Sequence, residues 1–185
     1  MDKGCIFVIS GTSGVGKSTV LAKVMEKRKD LIFSVSATTR APRPGEQEGV
    51  DYYFVTQEQF RKMIDQDEFL EYDAHMNNSY GTPKAQVEEK RKKGHVILDI
   101  DPNGAYQVRT SCPEAVLIFI APPSMEELER RLRGRGDTSP EQMELRLHRA
   151  RWELAQQEKY DYVVVNNQVD TCVDEILQII AEKAN

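Results

Sequence analysis

A chain of 185 residues, 39% apolar and 30% charged, is enough for one compact core with modest appendages, and too little for two independent domains of ordinary size. Its formal net charge of −5 argues against a nucleic-acid binder, so any positive field has to be local. Three scattered cysteines, Cys5, Cys112 and Cys172, fit reduced thiols and exclude a disulfide scaffold or a metal-ligand cluster. No leader pattern precedes the first apolar run, and no run approaches the ~20 apolar residues that span a bilayer. A soluble, cytoplasmic protein without membrane or nucleic-acid partners is expected.

In chain order, the first element is an apolar strand at 5–10, which runs into Gly11-Thr12-Ser13-Gly14-Val15-Gly16-Lys17-Ser18. A helical pattern at 17–28, with Val20, Leu21 and Val24 on one face, runs out of it. Further strands are predicted at 32–36, 96–100, 116–121 and 162–166. Helices are predicted at 57–66, 84–93, 103–111, 125–134, 140–159 and 170–184. Ser139 as N-cap and Pro140 at the first helical position mark the start of the sixth. Strands without polar alternation, separated by helices, predict an α/β fold with a parallel sheet covered on both faces.

Residues 11–18 match the phosphate-binding loop pattern G-x-x-x-x-G-K-[ST] in full. Glycines let backbone N–H groups curl around a phosphate chain, and the following helix aims its positive end at the same anion. Lys17 reaches the outer phosphates and the Ser18 hydroxyl is a magnesium ligand. The chain is therefore expected to bind a nucleoside triphosphate with Mg²⁺.

Two irregular stretches interrupt the alternation. Residues 38–52 contain Pro42, Pro44, Gly45 and Gly49 and have no helical period; a loop that long is usually functional or disordered. Residues 133–139 form a glycine-interrupted basic link that suggests a movable flap. Arginines gather here: Arg40 and Arg43 in the first stretch, Arg131 and Arg135 at i, i+4, and Arg146 and Arg149 at i, i+3. On a generic helix such charges are a solvated face. Beside a triphosphate loop they are candidates to fork onto phosphate oxygens and stabilise a transferring phosphoryl group. Asp99, ending the strand 96–100, suits the acidic partner of magnesium, and Asp101 faces the same side at the strand's carboxyl end, where ligands bind in open sheets. Nothing in the local pattern of Glu71 separates it from ordinary surface charge. His75, His95 and His148 have no metal spacing. Trp152 reads as packing, and the basic residues of 84–93 as a solvated face.

Together, the loop, the two arginine zones and the acidic strand end resemble guanylate kinase, a family of P-loop nucleoside monophosphate kinases. The resemblance runs from about residue 4 to residue 183. It is carried by SGTSGVGKST at 10–19, SVSATTRAPRPGEQEGVDYYFV at 34–55 and SYGTP at 79–83, with LDID at 98–101, GRG at 134–136 and YDYVVVNN at 160–167. It implies a single domain over 1–185. Its parts would be a parallel-sheet core (1–33, 91–124 and 155–185), a small mixed α/β GMP-binding subdomain (about 34–90) and a helical lid (about 125–154).

It also implies roles. Gly11, Thr12, Ser13, Gly14, Val15, Gly16, Lys17, Ser18 and Thr19 would hold ATP, with Asn166 or Asn167 near the adenine and Ser18 and Asp99 on Mg²⁺. Arg40, Arg43, Tyr52 and Tyr80 would hold the GMP phosphate, and Ser36, Glu71, Thr82 and Asp101 would read the guanine. Lys17, Arg40, Arg131, Arg135 and Arg146 would carry the catalytic charge. The sequence departs from the family pattern at His75-Met76-Asn77-Asn78-Ser79 and at Pro102-Asn103, without removing a proposed contact. Two other readings stay open: another small-molecule phosphotransferase of the same fold, and a guanylate-kinase-like interaction module without catalysis. A nucleic-acid ATPase lacks both a basic surface and motor motifs here. Monomer and homodimer are both open.

Overall fold

The computed structural model describes residues 3–75, 77–136 and 138–184, with no description of the His75 side chain. Met76 and Asp137, which fall in two of the segments singled out above, lie outside the described residues. The chain forms two compact units, Met1–Ile6 with Asp30–Ala115, and Phe7–Lys29 with Val116–Asn185. A five-stranded sheet has the order β2-β7-β1-β8-β9, built from Leu31–Phe33 (β2), His95–Asp99 (β7), Ile6–Gly11 (β1), Val116–Ala121 (β8) and Tyr162–Val165 (β9). The pairs β2–β7, β1–β8 and β8–β9 are all parallel, as the unbroken apolar runs predict.

In the second unit, Phe7, Val8 and Ile9 of β1 and Leu117 to Ile120 of β8 are fully buried. Helix α1 (Lys17–Lys27) packs against α7 (Val169–Lys183), with Lys23–Asp170 and Lys27–Asp174 ion pairs along the exposed seam. Helices α5 (Met125–Arg133) and α6 (Pro140–Ala155) close a separate apolar cluster of Leu128, Leu132, Met143, Leu147 and Ala150. Ser124 and Ser139 cap them, each hydroxyl accepting a backbone N–H of the first turn. α5 stops at Arg133 because Gly134 caps it, and Gly136 follows at φ 66°. Arg131 and Arg135 therefore do not share a helix face, contrary to their i, i+4 spacing. Trp152 is 38% exposed on α6 rather than packed inside.

The first unit carries a four-stranded sheet of order β4-β3-β6-β5: Tyr53–Phe54, Ala37–Thr38, Asn78–Pro83 and Phe69–His75. Helix α2 (Gln57–Asp65), started by a Thr56–Gln59 capping box, lays Phe60 against Phe69 at 4.6 Å between ring centroids. The hairpin β5–β6 was not among the predicted strands. A register shift between Phe69 and Glu71 breaks its alternation: Phe69 packs on Phe60 and Tyr72, whereas Glu71 is buried against the Thr82 hydroxyl. Helices α3 (Lys84–Arg91) and α4 (Pro102–Ser111) complete the unit. The basic side of α3 is not simply solvated: Lys90 Nζ donates to the Phe33 carbonyl at 2.7 Å and Arg91 Nε to the Gly4 carbonyl at 2.7 Å. Cys112 and Cys172 are buried, and burial pushes both thiols up to about 11, which suits packing rather than reactivity.

Candidate active site

In the second unit, β1 delivers the chain to Gly11, and the phosphate loop turns between Thr12 and Lys17 with Val15 N–H donating to the Thr12 carbonyl at 3.2 Å. Gly14 and Gly16 hold φ of 81° and 89°, a left-handed conformation that strains any residue with a Cβ. Space is also closed to side chains. A Cβ on Gly14 would fall 2.5 Å from Leu132 Cδ2, and one on Gly16 would fall 2.9 Å from Asn166 Nδ2. Gly16 caps α1 without a side-chain hydrogen bond, and the first turn contains no acidic residue. A helix start of this kind suits an anion.

Side chains brace this loop from behind. Asn166, 3% exposed at the end of β9, donates through Nδ2 to the Val15 carbonyl at 2.7 Å. Its Oδ1 and the buried Thr12 Oγ1 have no hydrogen-bond partner among the described residues. Ser13, Ser18 and Thr19 are exposed on the loop and the first turn. Arg131 is committed on two sides: Nη1 and Nη2 each donate to the Asn166 carbonyl at 3.2 Å, and Nε donates to Glu127 at 3.0 Å. Hydrogen bonds from Arg130 and Arg131 hold the Glu127 carboxyl at about 2. Arg135 is exposed and Arg146 half-buried, and neither side chain makes a hydrogen bond or ion pair among the described residues. One residue not singled out in the sequence also touches the loop: Glu153 accepts from Ser13 N–H at 3.4 Å and from Arg149 Nε at 3.0 Å.

The first unit gathers the remaining residues into two groups. Glu71 and Thr82 are register partners on β5 and β6, and the Thr82 hydroxyl donates to Glu71 Oε1 at 2.6 Å. Both are buried, and Ser36 stands one residue before the Ala37–Gly81 pair of the same sheet. Burial drives the Glu71 carboxyl up to about 7; the Thr82 hydrogen bond pulls it down, and the charges of Asp101 and Asp73 add to the rise. Asp101 caps α4, accepting Gly104 N–H at 2.9 Å, with Pro102 following. Gly104 leaves room for this arrangement, since a Cβ there would lie 2.7 Å from Glu71 Oε2.

In the second group, the Arg40 guanidinium lies 5.2 Å over the Tyr52 ring, and Tyr52 meets Tyr80 edge-on at 6.1 Å. Glu46 binds Arg40 in a fork, at 3.1 and 2.8 Å, and also accepts Arg43 N–H at 2.9 Å. These bonds hold the Glu46 carboxyl below its usual range. Arg43 is exposed. Asp99, at the end of β7, is an exposed carboxylate. Glu46 and Gly104 were missed in the sequence because their roles are relational: one orients an arginine, the other leaves room for a carboxylate.

Comparison with known proteins gives a family model described as guanylate kinase that matches residues 3–183. A guanylate kinase of Thermus thermophilus is 49% identical over 179 residues, covering 96% of this chain and 81% of that protein. That of Prochlorococcus marinus subsp. pastoris is 46% identical over 176 residues, 95% of this chain and 96% of its own. The crystal structure of guanylate kinase from Anaplasma phagocytophilum superposes with a TM-score of 0.76 at 37% identity, covering 98% of this chain and 87% of that one. A phosphate loop in one unit, a buried carboxylate and a paired arginine in the other, and a match almost end to end in sequence and fold make this chain a member of the guanylate kinase family.

Proposed function

We propose that this chain transfers the γ-phosphoryl group of ATP to GMP, giving GDP and ADP, as a cytoplasmic enzyme of purine nucleotide metabolism. The observation that carries the acceptor assignment is Glu71, a buried carboxylate bonded to Thr82 with Asp101 beside it. Guanine presents a ring N–H and an exocyclic amino group side by side, and an ionised carboxylate accepts both. Adenine puts a lone pair there and lacks the amino group, so a buried acceptor goes unpaired; such sites discriminate by ~10⁴-fold or more. Ser36, Thr82 and Asp101 complete the base site, and Arg40, Arg43, Tyr52 and Tyr80 receive the GMP phosphate.

ATP binds through the loop N–H groups of residues 11–19, with Lys17 on the outer phosphates. Arg131, Arg135, Arg146 and Arg40 supply the positive charge that phosphoryl transfer requires. Asn166 acts through the loop, since its amide is committed to Val15, and the exposed Asn167 is left for the adenine. Ser18 and Asp99 are exposed oxygen donors and would hold magnesium. Among the described residues no cluster of three His, Cys, Asp or Glu forms a protein cage, and magnesium bound through phosphates and water needs none. When bound, the ion neutralises charge on the β- and γ-phosphate oxygens.

No general base is required, because the attacking group is a phosphate oxygen whose second pKa is about 6. Catalysis is positioning and charge neutralisation, with water excluded as the GMP-binding subdomain (34–90) and the lid (125–154) close. The test is ADP release from Mg-ATP with GMP, AMP, UMP, CMP or no acceptor in parallel. Turnover with GMP alone is expected. Turnover with another acceptor, or with none, overturns the substrate assignment, and no turnover at all replaces catalysis with a binding role.

A further inference from the structure

Nothing in the reaction so far accounts for a buried carboxylate against the phosphate loop. Glu153 is 4% exposed. A loop that collects donors for a triphosphate is a poor place for negative charge, unless that charge is fully committed. Here it is committed at both oxygens: Oε2 accepts the Ser13 N–H at 3.4 Å, and Oε1 accepts Arg149 Nε at 3.0 Å. Arg149 cancels the charge, and its own side chain stays 42% exposed.

Helix geometry gives this contact a second consequence. Arg146, Arg149 and Glu153 follow at i, i+3 and i+7, which places them on one stripe of α6. At 1.5 Å per residue, Arg149 stands ~6 Å and Arg146 ~10.5 Å along the axis from Glu153. The point where Glu153 meets the loop therefore fixes how far along α6 both arginines stand from Ser13.

We propose that Glu153 is a positioning residue for phosphoryl transfer, hooking α6 to the phosphate loop through the Ser13 amide while Arg149 neutralises it, so that the arginine stripe of the helix stands in register with the triphosphate. The proposal rests on the ATP half of the reading above and not on the identity of the acceptor. Loss of an ion-assisted hydrogen bond at the loop predicts, for Glu153→Gln, about tenfold weaker Mg-ATP binding by calorimetry and about a tenfold higher KM for ATP. The KM for GMP is expected to stay within about twofold. Glu153→Asp, which keeps the charge, is expected to recover part of the loss. Should Glu153→Gln fail to fold, Arg149→Ala at its more exposed position is expected to give the same selective rise in the KM for ATP.

ATP binding and both KM values unchanged in Glu153→Gln, or in Arg149→Ala where that stands in for it, overturn the proposal. Equal losses for ATP and GMP that track a lowered Tm also overturn it, because they describe a merely structural glutamate. If the wild-type chain turned over ATP without GMP, the acceptor assignment would fall, while weaker ATP binding by Glu153→Gln would still support the hook.

Discussion

On the proposed reading, the two units solve the problem of nucleotide binding with different materials. In the unit of Phe7–Lys29 and Val116–Asn185 the anion site is backbone: a loop held open by Gly14 and Gly16 in left-handed conformations, an uncapped helix start, and side chains such as Asn166 bracing from behind. In the unit of Asp30–Ala115 the site is side chains, with Glu71 bonded to Thr82 inside the sheet and Arg40 already forked onto Glu46. A phosphate offers many equivalent oxygens and can be held by repeated N–H groups. A base has to be told from other bases, which takes a few buried groups with fixed direction and perturbed ionisation.

Substitutions should separate the two solutions. The largest expected effect is Lys17→Ala, which removes the side-chain charge proposed to reach the outer phosphates. Turnover should fall about a thousandfold or more at unchanged Tm and unchanged GMP binding, measured by coupled ADP release and calorimetry. Near-normal turnover would dismiss the loop lysine. Glu71→Ala should weaken GMP binding about a hundredfold, through loss of two charge-assisted hydrogen bonds, and leave the KM for ATP alone. An unchanged preference for GMP over AMP would remove Glu71 from the base site.

Gly104→Ala is a finer probe, because its added Cβ pushes on Glu71 Oε2 from 2.7 Å without touching the ATP unit's loop. About tenfold weaker GMP binding is expected, although helix propensity alone favours Ala by about 1 kcal/mol. A rise in Tm with full GMP affinity would show that Glu71 moves aside freely. The smallest effect is in pH. With Glu71 at about 7, its carboxylate is ionised above that pH and takes a proton below it. GMP binding should therefore weaken severalfold between pH 7.5 and 6, and the part due to Glu71 should vanish in Glu71→Gln. Folding carries the opposite sign. The fold favours the neutral form, so this residue's contribution to stability declines as pH rises from 4.5, the ordinary value, to about 7.

Much of this was legible in the chain alone, and unequally. The five strands of the parallel sheet and all seven described α-helices fall within a few residues of their predicted places, because unbroken apolar runs, one-face helical spacing and the Ser139-Pro140 start are local signals. The phosphate loop is local too: eight consecutive residues contain its whole geometry. The hairpin β5–β6 escaped because a register shift between Phe69 and Glu71 breaks the alternation that marks a strand, and a carboxylate, Glu71, takes a buried position in it. Glu71 itself looked like surface charge. Burial raises its pKa, and that burial, the Thr82 hydroxyl and the Asp101 charge come together only in the fold, from positions 11 and 30 residues further along the chain.

Sequence alone determined the α/β class, the helix and strand order and the triphosphate loop, since each depends on residues within one or two turns of one another. It also brought the family into view through motifs, before any geometry was known. Only the tertiary structure decided which charges are engaged and with whom: Arg40 on Glu46, Arg131 on the Asn166 carbonyl, Glu153 on Ser13 across 140 positions of chain. Spacing along a chain says which residues can share a face. Burial and long-range hydrogen bonding decide what a charge costs and what it can do, and those quantities have no value until the chain has folded.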